Sequence, residues 1–257
     1  MTAQPPRRAG PGWALLAWGV HFYTALGLVC AAGIAVLIVR GDESAFRLAF
    51  GLMFVATLID ATDGALARLV RVKEVLPGFD GRRLDDLIDF LAYVALPLLL
   101  IWRARLLPAG DEGFLLLPLF AGAYGFCQVH AKTADGYFLG FPSYWNLVAF
   151  YLYVLPLRGS PLATGIVVGL ALLTFVPSLY LYPSQKGRLN RLTNLLAVPW
   201  SLLLLGALWL LPEEGGVPPA ARALAALSLY FPAYYLLVSW AVTLRRWRAH
   251  RRDATFL

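Results

Sequence analysis

Long apolar runs recur along the whole chain and are separated by short polar segments. A helix needs about 20 apolar residues to cross roughly 30 Å of hydrocarbon, and eight runs come close to that length. These runs cover residues 13–39, 45–67, 84–102, 113–130, 143–158, 160–182, 194–211 and 221–244. The pattern predicts an all-α integral membrane protein with eight transmembrane helices.

One polar segment is unlike the others. It reads "DATDGALARLVRVKEVLPGFDGRRLDDLID", covers residues 60–89, and joins the end of the second run to the start of the third. It holds seven of the 15 acidic residues of the chain. Because charged side chains close to hydrocarbon are costly and usually functional, this segment is the first candidate for a reactive site.

The distribution of Lys and Arg predicts the orientation of the helices. Cytoplasmic loops carry an excess of these residues. If the amino terminus is cytoplasmic, 16 of the 22 Lys and Arg residues fall on the cytoplasmic side. The six on the opposite side are Arg40, Arg47, Arg103, Arg105, Arg158 and Arg222. We therefore expect both termini, and the acidic segment, to face the cytoplasm.

Composition supports the membrane interpretation. The chain is 60% hydrophobic and 14% charged, which is too few charges for the surface of a soluble domain. The net charge of +7 does not indicate nucleic-acid binding, because the basic residues sit in short clusters that membrane topology explains. Cys30 and Cys127 lie in separate apolar runs and predict neither a disulfide nor a zinc site. No repeat or linker divides residues 1–257, so we expect one membrane-embedded domain.

Four aspartates in the acidic segment have helical spacing. Asp60 and Asp63 are three residues apart, and Asp85 and Asp89 are four apart, so each pair shares one helix face. A hairpin of the two helices would bring the four carboxylates together. Like charges in a poorly hydrated place repel, and divalent cations would neutralise them. Ligands that are all oxygen favour Mg²⁺ or Mn²⁺ over zinc.

Small and basic residues accompany these aspartates. Gly64 and Ala67 share the helix sector of the first pair and would leave room for a bulky ligand. Arg68 suits a phosphate, and Gly81 precedes Asp85 by four residues. The pattern combines ligands for two metal ions, an arginine for a phosphate and small residues that leave room for a ligand. It predicts phosphoryl-transfer chemistry.

The segment resembles the signature of the CDP-alcohol phosphotransferases. That signature, D-x2-D-G-x2-A-R-x(n)-G-x3-D-x3-D, is filled here by Asp60, Asp63, Gly64, Ala67, Arg68, Gly81, Asp85 and Asp89. The spacer from Leu69 to Asp80 has 12 residues, longer than in common members. Five features resemble the bacterial branch of the family that forms phosphatidylcholine. They are the longer spacer, the eight apolar runs, and the stretches "HFYTALG", "GFPSYWNLVAFYL" and "FVPSLYLYPS".

The resemblance implies a fold, a reaction and a set of roles. The fold would be the helical bundle of the family, in the inner membrane, with a cytoplasmic active site and a homodimeric assembly. The reaction would convert CDP-diacylglycerol and choline to phosphatidylcholine and CMP. The four aspartates would ligate two cations, Mn²⁺ by preference, and Asp89 would also be the general base. Asp63, Gly64, Ala67, Arg68 and Gly81 would bind the CDP group.

Choline needs aromatic faces and a nearby anion for its quaternary ammonium. The candidates are Tyr23, Tyr144, Trp145, Asn146 and Tyr182, although Tyr and Trp also gather at every membrane interface. Lys186 and Arg188 are candidates for a phosphate or a lipid headgroup, and topology alone would also explain them.

Two alternatives remain open on the sequence. The acceptor alcohol could be glycerol phosphate, serine or inositol phosphate, because basic and aromatic residues are both present near the acidic segment. The chain could also be an ion-coupled transporter with acidic residues inside the membrane. Clustering of the carboxylates at one membrane face argues against a transporter.

Overall fold

The computed structural model describes residues 10–133, 136–182 and 188–254 of the chain. Two long antiparallel helices open the fold, α1 (Pro11–Arg40) and α2 (Glu43–Val70). Helix α1 ends where Gly41 adopts a left-handed conformation with φ of 71°, which glycine tolerates best. The Asp42 carboxylate then caps α2 by accepting a 2.9 Å hydrogen bond from the Ala45 N–H. These two devices make a tight hairpin of α1 and α2.

The remaining described residues are also largely helical. The short helix α3 is Val72–Val75, and α4 (Gly81–Phe90), a π-helical turn (Leu91–Ala95) and α5 (Leu96–Arg103) follow one another without a break. A 3₁₀ turn (Glu112–Leu115) leads into α6 (Leu116–Cys127). The later helices are α7 (Trp145–Val154), α8 (Pro161–Phe175), α9 (Arg188–Trp209), α10 (Pro219–Ser228) and α11 (Tyr230–Ala254).

Four stretches of helix in the described residues are long and apolar enough to cross a membrane. They are α1, α2, Leu189–Trp209 of α9, and Pro219–Ala249 across α10 and α11. The prediction of a helical membrane protein is thereby confirmed. Helix α7 has ten residues and spans about 15 Å at 1.5 Å per residue, half the hydrocarbon thickness. The count of eight spans therefore stays a prediction.

Within the part of the chain that the structure describes, the fold is all-helical apart from one small β-sheet, which corrects the expectation that residues 160–182 form a single helix. Helix α8 ends at Phe175, and Val176 is extended with ψ of 129°, because the following Pro177 disfavours helical backbone in the residue before it. Strand β2 (Leu179–Leu181) then pairs antiparallel with β1 (Tyr137–Leu139).

Helix α11 covers the other edge of β2. The Leu179 N–H donates to Thr243 Oγ1 at 2.8 Å, and the Leu181 N–H donates to Ser239 Oγ at 3.2 Å. Both hydroxyls are buried. The backbone donors of the strand are thus satisfied in an apolar setting, where an unpaired donor would be costly.

Glycines let α1 and α4 approach closely. A Cβ on Gly27 of α1 would lie 2.6 Å from Cγ2 of Ile88 on α4, and a Cβ on Gly81 of α4 would overlap Cε1 of His21 on α1. Close backbone approach at small residues is typical of helix packing in membranes. This contact positions α4, which carries Asp85 and Asp89.

We predict that Gly27→Ala destabilises the protein relative to Gly19→Ala. Both changes replace a glycine within α1, but a Cβ on Gly19 would meet nothing within 4 Å. Their helix-propensity effects cancel in the comparison, which isolates the collision with Ile88. Overpacking of this kind costs about 1–3 kcal/mol. Thermal unfolding in detergent should show a lower midpoint for Gly27→Ala, and equal midpoints would contradict the packing described here.

Candidate active site

Three carboxylates meet between α2 and α4. Asp60 of α2 and Asp85 and Asp89 of α4 each offer an oxygen, and these three oxygens lie within 4.8 Å of one another. All three residues are half-buried. The four-residue spacing of Asp85 and Asp89 puts both on the α4 face that meets α2. The structure thus brings together three of the four aspartates expected to converge.

The fourth aspartate, Asp63, lies outside this group. Its side chain is buried, and its Oδ2 accepts a 2.8 Å hydrogen bond from Thr24 Oγ1 on α1. Asp63 is one helical turn beyond Asp60 on α2, and its carboxylate points toward α1. Thr24 was not identified from the sequence, although it lies within "HFYTALG".

Asp60 is held by a residue that sequence analysis missed. The Tyr93 hydroxyl donates a 2.8 Å hydrogen bond to Asp60 Oδ2, and Tyr93 is 8% exposed. Tyr93 sits in the π-helical turn Leu91–Ala95, a backbone irregularity that is frequent at functional sites. The available signal was its position four residues after Asp89, which places it one turn deeper on the same helix.

The chemistry of the three oxygens fits a hard divalent cation. Ligand oxygens of an octahedral Mg²⁺ are about 3.0 Å apart when adjacent and about 4.2 Å apart when opposite, given metal–oxygen distances of about 2.1 Å. Three oxygens within 4.8 Å of one another therefore need only a small side-chain adjustment to share one ion. Half-buried like charges at this separation repel strongly without a counterion. Asp60, Asp85 and Asp89 can therefore hold a metal ion.

The predicted nucleotide-binding residues differ in their surroundings. A Cβ on Gly64 would meet only Arg68 Nη1, at 3.5 Å, among nearby atoms, so the space above Gly64 is open. Arg68 is exposed. Ala67 packs against the small apolar cluster of Ala17, Val20 and Val72. The small residue at position 64 therefore leaves an open surface, whereas the small residue at position 67 allows close helix packing.

The His21 ring occupies the space above Gly81. His21 is buried, its ring centroid lies 4.4 Å from that of Phe79, and its Nε2 has no hydrogen-bond partner. The absent side chain of Gly81 is thus explained by contact between α1 and α4. Its expected contact with CDP stays a prediction.

The predicted choline contacts differ in their surroundings, and their contact with choline stays a prediction. The Tyr23 hydroxyl is 2.8 Å from Thr62 Oγ1, and Tyr144 packs edge-on to Phe141. Trp145 is 1% exposed and belongs to the main apolar core, so its ring presents no open face.

The other candidates for contact with choline or a phosphate are Asn146, Tyr182, Lys186 and Arg188. Asn146 is buried, and its Nδ2 donates a 3.4 Å hydrogen bond to Thr57 Oγ1 on α2. Tyr182 is half-buried beyond the end of β2, with its ring 4.4 Å from that of Phe138. Lys186 and the side chain of Arg188 lie outside the described residues.

Curated proteins of several bacteria are similar to this chain over most of its length, whereas no protein-family model matches it. A phosphatidylcholine synthase of Pseudomonas aeruginosa is 39% identical over 220 residues, covering 84% of this chain and 88% of the relative. The phosphatidylcholine synthase of Legionella pneumophila is 40% identical over 185 residues, 69% of this chain and 68% of the relative. That of Bradyrhizobium diazoefficiens is 34% identical over 243 residues, 93% of this chain and 88% of the relative. Identity at this level across most of both sequences shows that the chain belongs to the phosphatidylcholine synthase family.

Proposed function

We propose that the chain transfers the phosphatidyl group of CDP-diacylglycerol to choline and releases CMP. The observation that carries this proposal is the convergence of Asp60, Asp85 and Asp89 between α2 and α4, in a chain whose relatives are phosphatidylcholine synthases. A diphosphate substrate carries negative charge that must be neutralised. Divalent cations held by the carboxylates would supply the neutralising positive charge.

The three converging carboxylates would hold the metal, and Asp63 would join them from the α1 side. We infer two ions, Mn²⁺ or Mg²⁺, from the four-aspartate motif. When bound, such ions supply positive charge against the diphosphate and against the leaving CMP. Tyr93 and Thr24 would orient the Asp60 and Asp63 carboxylates through the hydrogen bonds they donate, as partners of metal ligands commonly do.

Asp89 would be the general base. The choline oxygen attacks the phosphorus that bears the diacylglycerol, the proton of the choline hydroxyl passes to an Asp89 carboxylate oxygen, and the bond from phosphorus to the CMP oxygen breaks. The electron pair of that bond leaves with CMP. A carboxylate within reach of the attacking hydroxyl is suited to accept this proton.

The other motif residues would bind the nucleotide. The open surface at Gly64 offers room for CDP, with the exposed Arg68 guanidinium near a phosphate. Gly81 would contribute at the junction of α1 and α4. Lys186 and Arg188 would contact a substrate phosphate or lipid headgroups.

We further propose an inner-membrane location with the site open to the cytoplasm. Eight membrane crossings would place both termini in the cytoplasm, since that orientation puts most Lys and Arg there. The chain would act as one membrane domain and assemble as a homodimer.

The direct test combines purified protein, CDP-diacylglycerol, Mn²⁺ and radiolabelled choline. We expect phosphatidylcholine and CMP in equal amounts, and no product after chelation of the metal. Parallel reactions with glycerol phosphate, serine or inositol phosphate should give no lipid product. Product from one of those acceptors instead of choline would contradict the proposal, and uptake of choline into vesicles without CMP would indicate a transporter.

We predict that Asp89→Asn abolishes turnover while the protein still folds. The amide keeps the size of the side chain but cannot accept the hydroxyl proton. The expected loss is at least 100-fold, in the range typical of a general base. The measurement is CMP release, with size-exclusion chromatography in detergent as the folding control. Near-normal turnover by this variant would remove Asp89 from the reaction.

We predict that Tyr93→Phe weakens Mn²⁺ binding by about tenfold or more, because removing a hydrogen bond to a metal ligand typically costs 10- to 100-fold. The measurement is titration with Mn²⁺ followed by electron paramagnetic resonance, which does not depend on turnover. Tyr230→Phe is the matched control, since it removes a 2.7 Å hydrogen bond from the Tyr230 hydroxyl to Leu196 O. Equal Mn²⁺ affinity for both variants would contradict a positioning role for Tyr93.

A further inference from the structure

A lysine ammonium lies over two aromatic rings. Lys132 Nζ is 5.8 Å from the centroid of the Phe138 ring and 5.4 Å from the centroid of the Tyr182 ring. Both distances are within the roughly 6 Å at which a ring face attracts a cation. The ring centroids are 4.4 Å apart, with an angle of 51° between the rings. The two rings therefore form an aromatic corner, Phe138–Tyr182, that holds a cation.

Backbone pairing builds this corner. Lys132 forms an antiparallel bridge with Phe138, and on the other side of β1 Phe138 pairs with Tyr180 of β2. Tyr182 lies two residues beyond Tyr180, so it projects on the same face as Phe138 and sits diagonally from it. The positions of the rings are thus set by the sheet, which α11 anchors.

The ammonium on this corner interacts electrostatically with carboxylates of the candidate site. The Lys132 ammonium is near enough to attract the carboxylates of Asp60 and Asp85. A cation seated on the two rings therefore has negative charge nearby, and that charge belongs to the proposed reaction centre.

We propose that Phe138 and Tyr182 bind the quaternary ammonium of choline, and that the Lys132 ammonium occupies the same place until choline enters. This inference rests on the proposed function and names the acceptor subsite. A trimethylammonium group has no N–H to donate, so ring faces and a neighbouring anion are the contacts that can hold it. Choline carries its hydroxyl two carbons from that group, so an ammonium held on this corner would direct the hydroxyl to a position within a few ångströms of the corner.

Lys132 shows that the corner accepts a positive charge in this position. Two cations cannot share it, because like charges repel, so binding of choline must displace the lysine. Lys132 is exposed, and its long, flexible side chain can move away without disturbing the strands.

The test is the choline KM at saturating CDP-diacylglycerol and Mn²⁺, measured with the full chain in detergent. Phe138→Leu and Tyr182→Leu each remove one ring face and should raise the choline KM by about threefold to thirtyfold, the span of cation–π strengths, with a smaller change in kcat. Tyr182→Phe keeps the ring and should restore the choline KM to within about twofold. Phe175→Leu is the matched control, because it breaks an aromatic pair with Tyr124 of 5.1 Å centroid separation and should leave the choline KM unchanged.

A neutral acceptor separates charge recognition from packing. The alcohol 3,3-dimethylbutan-1-ol has the shape of choline without its charge. The wild-type preference for choline over this alcohol, as a ratio of kcat/KM, should fall in Phe138→Leu and Tyr182→Leu. Lys132→Gln removes the competing cation and should lower the choline KM by about twofold to fivefold.

Three results would overturn the inference: an unchanged choline KM in both leucine variants, an unchanged preference for choline over the neutral alcohol, or a raised choline KM in Lys132→Gln. If Phe138→Leu does not fold, the comparison of Tyr182→Leu with Tyr182→Phe decides alone, because Tyr182 lies beyond the end of β2. If the wild-type protein makes phosphatidylcholine and any of these three results is found, only the subsite is refuted. Absence of phosphatidylcholine from the wild-type protein would refute the proposed function itself.

Discussion

Repulsion between half-buried carboxylates is the constraint on which this structure depends. Asp60, Asp85 and Asp89 present oxygens within 4.8 Å of one another, in a place where water screens their charges poorly. Such an arrangement is unfavourable for the isolated chain and becomes favourable when a cation binds. Carboxylates that repel one another in this way favour the binding of cations. A diphosphate substrate can enter together with metal ions that supply this positive charge.

Close helix packing and donated hydrogen bonds hold these carboxylates in place. Gly27 and Gly81 allow α4 to approach α1, and the carboxylates of α4 then face α2. Tyr93 and Thr24 fix the orientation of Asp60 and Asp63. The geometry of the site therefore depends on the packing of α1, α2 and α4 against one another.

Much of this arrangement could be predicted from the sequence, because it depends on local spacing. Aspartates four residues apart on α4 must share a face, and the apolar runs had to become helices in a membrane. Contacts between distant segments could not be predicted. The hydrogen bond from Tyr93 depends on a π-helical turn. The corner of Phe138 and Tyr182 depends on the pairing of two short strands, one between apolar runs and one at the end of a run that was expected to be helical. The direction of Asp63 toward Thr24 likewise depends on how α1 packs.

Anomalous scattering from Mn²⁺ in crystals of the protein tests the central claim most directly. Difference density for manganese should lie between the carboxylates of Asp60, Asp85 and Asp89, at coordination distance from each of them. Manganese bound elsewhere, or these three side chains turned away from a common point in crystals that contain the ion, would contradict the account.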